Sequence, residues 1–163
     1  MLSVGSVAQG PTPGRRPPRR RASATVAVAV VAPVSPARVW RALIEPTEVA
    51  RWDGVEPLDV PPAYPASGQH ARWRTHVGPL SLTLHDRVRA VEYERTLAST
   101  IDVGFVHVEE RYRLVAGGDG TVVVAENDVT ATLPGLRWLA VALTRRSVRA
   151  SMARLAAFCA TSP

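Results

Sequence analysis

The chain has 163 residues, of which 46% are hydrophobic and 21% charged, a composition typical of one globular domain rather than a disordered chain. No apolar run reaches the roughly 18 residues that a bilayer-spanning helix needs. A single cysteine, Cys159, excludes an internal disulfide and a cysteine-based zinc site. We therefore expect a cytoplasmic protein with no membrane span, no metal and no other cofactor.

The formal net charge of +6 comes from the two ends of the chain. All 20 basic residues are arginines, and residues 1–24 and 134–163 each hold five of them with no acidic residue. The segment between them holds ten arginines and all 14 acidic residues. A nucleic-acid-binding protein is expected to carry its basic residues on a folded face with a recognisable module, and none is visible. We therefore expect no nucleic-acid partner.

Residues 1–24 are rich in Gly, Pro, Ser and Arg and have no apolar period, which predicts a disordered tail. A secretory signal is an alternative, because the arginines precede the apolar run Ala24–Ala32. A start codon assigned too far upstream is a second alternative. The apolar run alternates β-branched residues with alanines and favours a strand, the first element of a folded domain at residues 25–160.

Two short helices are predicted after this strand. Ser35 is a good N-cap and Pro36 suits the first helical position, while Pro46 ends the helix. Thr47 can cap a second helix, which Asp53 and Gly54 close as a turn.

The rest of the chain predicts about six strands and one long helix. Apolar residues alternate with polar ones over 55–61, 69–77, 80–91, 95–105, 106–116 and 121–133. Gly117–Gly120 predicts a hairpin two residues longer than the tightest loops. The last 25 or so residues predict a helix with an apolar stripe of Leu136, Leu139, Leu143, Val148, Met152, Leu155 and Cys159.

This order predicts an α+β fold, in which a curved antiparallel sheet of about seven strands is covered by the C-terminal helix. A helix held away from such a sheet leaves a cavity, and cavities of this kind are common ligand sites.

Three segments resemble the START-like, or SRPBCC, superfamily, also called helix-grip or Bet v 1-like. They are VAPVSPARVWRALIEPTEVARW at 31–52, LTLHDRVRAVE at 82–92 and MARLAAF at 152–158. The resemblance covers about residues 25–160. It implies the helix-grip fold and a deep cavity for a hydrophobic ligand. The superfamily includes lipid carriers, hormone receptors and polyketide cyclases and dehydrases, so the fold does not fix the function.

Polar residues that interrupt an apolar strand phase are candidates for the walls of this cavity. Four of them are Asp86, Ser99, Glu110 and Asn127, and Trp73 and Tyr112 lie in the inward phase as further ligand-binding candidates. An apolar cavity raises the pKa of a carboxyl group, which suits a general acid or base. Alternatively, a bulge returns these residues to solvent, or Asp86 pairs with Arg87 or Arg111 and Glu110 is a structural ion-pair partner.

The sequence gives little support for a metal site or for a nucleophilic cysteine. The histidines at 70, 76, 85 and 107 lie in polar phases, and Cys159 has no histidine near it in sequence. Arg145, Arg146 and Arg149 could attract an anionic ligand, an acidic carrier protein or a membrane surface, or form a solvated helix face.

The leading hypothesis is a protein that binds, and could carry or transform, a hydrophobic or aromatic small molecule between the sheet and the C-terminal helix. Two alternatives stay open: a polyketide aromatase, cyclase or dehydrase that uses Asp86, Glu110 or Tyr112, and an interaction module that docks its basic C-terminal helix on an acidic partner. Catalytic residues and the oligomeric state are not assigned from the sequence.

Overall fold

The computed structural model describes residues 23–133 and 135–161. The predicted tail and its signal alternative lie outside the described residues, apart from residues 23 and 24. The elements, in order, are β1 Ala24–Ala32, α1 Pro36–Ile44, α2 Pro46–Asp53, β2 Glu56–Asp59, β3 His70–Val77, β4 Leu80–Glu92, β5 Thr96–Val103, β6 Val106–Gly117, β7 Gly120–Ala131 and α3 Arg137–Thr161. The predicted α+β helix-grip architecture is confirmed.

The seven strands form one curved antiparallel sheet in the order β1-β7-β6-β5-β4-β3-β2. Strands β2 to β7 follow one another as a meander, and β1 closes the far edge by pairing with β7 along its whole length. The predicted first strand, Ala24–Ala32, is therefore confirmed as β1. The short, exposed β2 is the opposite edge, as Pro57 and the following prolines predict.

One turn, between β6 and β7, differs from the sequence expectation. Gly117 pairs with Gly120, so β6 and β7 are joined by a two-residue loop, shorter than predicted. Gly120 has a φ of 135°, and a Cβ added to it would lie 2.2 Å from the Ala32 carbonyl oxygen. Only glycine lets the hairpin approach the end of β1 this closely. Gly104 lies in the turn between β5 and β6 with a φ of 55°.

A bulge in β4 shifts the register between Val88 and Ala90 where it pairs with β5. Val88 is fully buried, Ala90 is exposed and Val91 is half-buried. The alternation over 80–91 predicts that Ala90 faces inward with Val88, and this prediction is wrong because the bulge changes the phase.

Helices α1 and α2 are fixed to each other and to α3. Ser35 caps α1 as predicted, whereas Glu45, not Thr47, occupies the N-cap position of α2, with Pro46 next. Trp52 Nε1 donates to the Ala42 carbonyl at 2.8 Å. Arg38 forms an ion pair of 2.7 Å with Glu48, and the guanidinium lies over the Phe158 ring of α3.

Helix α3 lies along β1 and β7 rather than over the middle of the sheet. Its buried face is Ala140, Ser151, Met152, Leu155 and Cys159. The C-terminal half of the predicted stripe is therefore confirmed. Its N-terminal half is displaced, because the small Ala140 packs against Val26 and Val129 while Leu143 is exposed. Among the described helices, none combines the length and apolar character needed to cross a bilayer.

Candidate functional site

A cavity of about 80 Å³ lies between the inner face of strands β3–β6 and helix α2. Its apolar walls come from α1, α2, the segment after α2 and the strands, and consist of Leu43, Val49, Trp52, Val55, Trp73, Leu84, Leu97 and Ile101. Six polar or ionisable side chains share the same cavity, namely Asp53, Tyr64, Asp86, Ser99, Glu110 and Tyr112. The described lining includes no residue of α3, so the cavity faces α2 more than the C-terminal helix.

Strand register explains why the central polar residues meet. Ser99 on β5 lies directly opposite Glu110 on β6, and Leu97 lies opposite Tyr112. Glu110 and Tyr112 are two residues apart on one strand and therefore share a face. Asp86, on β4, pairs with Ile101 and reaches the same face from the other side. The predicted inward phase of these strands thus places the polar residues together, and no bulge returns them to solvent.

Asp86 is only 7% exposed, although it carries an ionisable group. Its Oδ2 accepts a hydrogen bond of 2.8 Å from Tyr64 Oη, while Oδ1 has no hydrogen-bond partner within the described part of the chain. Burial raises the pKa of this carboxyl group, an effect opposed by Tyr64, Ser99 and Trp73 as nearby donors. The alternative in which Asp86 pairs with Arg87 or Arg111 is wrong, because Tyr64 is its partner.

Glu110 is the second carboxyl group of the cavity, and its side chain is half-buried. Burial, followed by the negative charge of Asp53, raises its pKa from 4.5 to about 8, although a hydrogen bond from Tyr112 acts in the other direction. Glu110 is therefore largely protonated at neutral pH and can donate a hydrogen bond. Burial also raises the pKa of Tyr112 well above its usual value, so that its hydroxyl group stays a donor. No arginine forms an ion pair with Glu110 among the described residues.

Asp53 connects the cavity to α3. Ser151 Oγ donates to Asp53 Oδ1, and Arg154 donates from Nε to the Trp52 carbonyl at 2.7 Å and from Nη2 to the Asp53 carbonyl at 3.2 Å. A longer ion pair of 3.5 Å joins Arg154 to the Asp53 carboxylate. These bonds hold the C-terminal end of α2, and with it Trp52, over the strands.

Five of the six predicted ligand-binding residues line the cavity: Trp73, Asp86, Ser99, Glu110 and Tyr112. The sixth, Asn127, is buried on the same sheet face directly opposite Glu110, but it lies outside the cavity lining. Its Nδ2 has no hydrogen-bond partner among the described residues.

Sequence reasoning missed Asp53 and Tyr64. The Asp53-Gly54 pair predicts only a turn, and Gly54 indeed ends α2 in a left-handed conformation. Tyr64 lies in the loop between β2 and β3, where no strand period indicates which way a side chain faces. Its ring packs edge-on against Trp73, with the ring centres 6.0 Å apart. The signal available was one large aromatic residue among the prolines and alanines of residues 61–66.

The remaining reactive side chains lie elsewhere. His70, His76 and His85 are exposed, and His107 contacts Asp102 through Nδ1 at 2.7 Å. Cys159 is buried, and burial raises the pKa of its thiol, which disfavours the nucleophilic thiolate. No group of three or more His, Cys, Asp or Glu residues within 23–133 and 135–161 is arranged to hold a metal ion.

A curved sheet of seven antiparallel strands, with a long C-terminal helix over it and a half-open, mostly apolar cavity, defines a ligand-binding fold of the SRPBCC superfamily. The chain belongs to the family described as polyketide cyclase / dehydrase and lipid transport, whose profile matches residues 23–159. The resemblance noted in the sequence is therefore confirmed. No curated protein sequence is significantly similar to the chain.

Solved structures share the fold at low sequence identity. Protein CV1439 of Chromobacterium violaceum has a TM-score of 0.70 at 15% identity, covering 85% of this chain and 98% of its own. Ara h 8.0201 has a TM-score of 0.68 at 11% identity, covering 85% of this chain and 98% of its own. DynU16, from the dynemicin biosynthetic locus, has a TM-score of 0.64 at 22% identity, covering 84% of this chain and 47% of that one.

Proposed function

We propose that this chain binds a small, mostly apolar molecule carrying a hydroxyl or carbonyl group in the cavity between strands β3–β6 and α2. The observation that carries the proposal is Asp86 Oδ1, a buried acceptor with no hydrogen-bond partner in the cavity wall. Buried polar atoms are nearly always paired, so an unpaired one facing a cavity is a place for a ligand donor. Glu110 and Tyr112 supply donors in the same cavity.

The cavity volume limits the ligand. Sites for drug-sized molecules span roughly 300–1,000 Å³, whereas this cavity holds about 80 Å³. Since an apolar cavity of about 150 Å³ is known to bind benzene, a molecule of one substituted aromatic ring would contact the tryptophan and leucine walls and extend through the open side of this cavity. A larger ligand requires displacement of Tyr64 and its loop, which costs the hydrogen bond to Asp86.

The test compares p-cresol with toluene, which differ by one hydroxyl group, in titrations followed by amide NMR shifts. We expect p-cresol to bind at least about ten-fold more tightly, with the largest shifts on β4, β5 and β6, since one good hydrogen bond to a charged group contributes about 1.5 kcal/mol or more. Asp86→Asn should reduce this preference, while Asp102→Asn, on an exposed part of β5, should leave it unchanged.

Equal affinity for the two probes, or shifts confined to other surfaces, contradicts the proposal. Native mass spectrometry of the purified protein supplies an independent measurement, because a tightly held small molecule is detected as added mass.

A second candidate function is acid–base catalysis of the polyketide cyclase or dehydrase kind, which the family description supports. The observation that favours it is the presence of two carboxyl groups in one cavity, one with a pKa of about 8 and the other with an unpaired oxygen. In a dehydration, Asp86 would take the proton from carbon and Glu110 would give its proton to the departing hydroxyl, which leaves as water.

This candidate is tested with a 3-hydroxyacyl thioester of N-acetylcysteamine, by following the unsaturated thioester. Catalysis predicts that Glu110→Gln lowers turnover about 100-fold or more while thermal unfolding still shows a folded protein. Glu109→Gln, whose side chain is exposed on the same strand, is the matched control. Equal rates for the two variants would leave binding as the function of the cavity.

A further inference from the structure

Helix α3 presents a basic face to solvent that the cavity does not use. Trp138, Ala142, Arg145 and Arg149 follow one another at spacings of four, three and four residues and so lie on one side of the helix. Arg146 and Ala150 border this row, and all six residues are exposed. We call this surface the α3 basic face.

The charges on the α3 basic face are free of internal partners. Arg145, Arg146 and Arg149 form no ion pair or hydrogen bond with any described residue. Residues 134–163 contain no acidic residue at all. Arg154, one turn further along, differs from these three because it is bound to Trp52 and Asp53.

Trp138 adds an apolar group to the same face. Its side chain is 70% exposed, whereas the other three tryptophans, Trp40, Trp52 and Trp73, are at most 5% exposed. Leu133, in the segment that leads into the helix, is 48% exposed. Exposed large apolar side chains next to unpaired arginines are characteristic of a surface that binds another protein or a membrane.

We propose that the α3 basic face docks the protein on an anionic lipid surface. Tryptophan favours the boundary between headgroups and acyl chains, and arginines above it bind lipid phosphates. The row spans roughly 17 Å of a straight helix and has small alanines between its long side chains, so the tryptophan and the arginines project together toward a flat surface. An acidic protein could form ion pairs with the arginines. It would not provide the apolar acyl-chain layer into which the Trp138 ring can insert.

The experiment uses the full chain with vesicles of phosphatidylcholine alone or of equal parts phosphatidylcholine and phosphatidylglycerol, measured by co-sedimentation. We expect binding to the anionic vesicles only. The triple variant R145Q/R146Q/R149Q should bind about 100-fold more weakly, from about 1 kcal/mol for each arginine near the surface. The variant R87Q/R89Q/R111Q removes the same charge from exposed strand positions and should bind as the wild type does.

Trp138 supplies a second readout, since it is the exposed tryptophan among the four. Anionic vesicles should protect its fluorescence from acrylamide quenching and shift the emission to the blue, and Trp138→Phe should abolish both signals. Binding that survives the α3 triple variant, or binding that leaves Trp138 open to acrylamide, overturns the proposal and assigns the association to the other basic end of the chain. Protection by polyglutamate but not by vesicles overturns it in favour of an acidic protein.

Discussion

The two halves of the sheet use the same fold in opposite ways. Where α3 crosses β1 and β7, the inner side chains are Val26, Val123, Ala125 and Val129, all at most 3% exposed and in contact with the helix or its neighbours. Where α2 crosses β3–β6, the inner side chains include two carboxyl groups and leave a cavity. The first half stabilises the fold by close packing, and the second gives up packing for polar groups that a ligand can contact.

The packed half should be the more sensitive to truncation. Leu155 on α3 is fully buried in the main core, so Leu155→Ala removes its contacts and leaves a void. We expect the free energy of unfolding to fall by about 3 to 4 kcal/mol in urea denaturation. Leu84→Ala, at the half-buried cavity wall, should cost only about 1 kcal/mol because the site is already open on one side. Similar losses at the two positions would contradict the division into a packed and an open half.

The cavity in the open half should make the free energy of unfolding depend on pH. The native Glu110 carboxyl keeps its proton up to a pKa of about 8, while the unfolded chain loses it near 4.5. Between these values the native state binds more protons, so its free energy of unfolding falls as pH rises, and the stabilising effect is complete only below about pH 4.5. Glu110→Gln should remove about 2 to 4 kcal/mol of this decline between about pH 5 and pH 8.5.

Urea denaturation at the two pH values measures this difference. Glu109→Gln, an exposed neighbour with the same change of charge, should keep the wild-type slope. A wild-type curve without the decline would show that Glu110 is ionised in the native cavity.

The smallest effect is expected where the two halves are joined. Arg154→Gln removes the donors to the Trp52 and Asp53 carbonyls, and because the side chain is about half exposed the loss should be about 1 kcal/mol. Arg149→Gln, one turn earlier and unpaired, should change thermal stability by less than about 0.5 kcal/mol. An equal effect of the two substitutions would show that Arg154 does not hold α2 against α3.

Alternation along the strands was enough to predict which polar residues face inward. Asp86, Ser99, Glu110 and Asn127 each interrupt an apolar phase, and all four lie on the inner face. The method failed where a local irregularity changed the phase, as at the bulge that turns Ala90 outward. It also had no access to Asp53 and Tyr64, because neither lies in a strand with a period to read.

The sequence by itself determined the order of the elements, the first strand, a helix on each side of Pro46 and the inward face of most strands, because these depend on spacings of two to four residues. Only the tertiary structure decided that α3 lies along β1 and β7, that α2 covers the cavity, and that Tyr64 reaches Asp86 across 22 positions of the chain. Those contacts depend on how side chains from distant segments pack together. A pattern of neighbouring residues in the sequence does not contain that information.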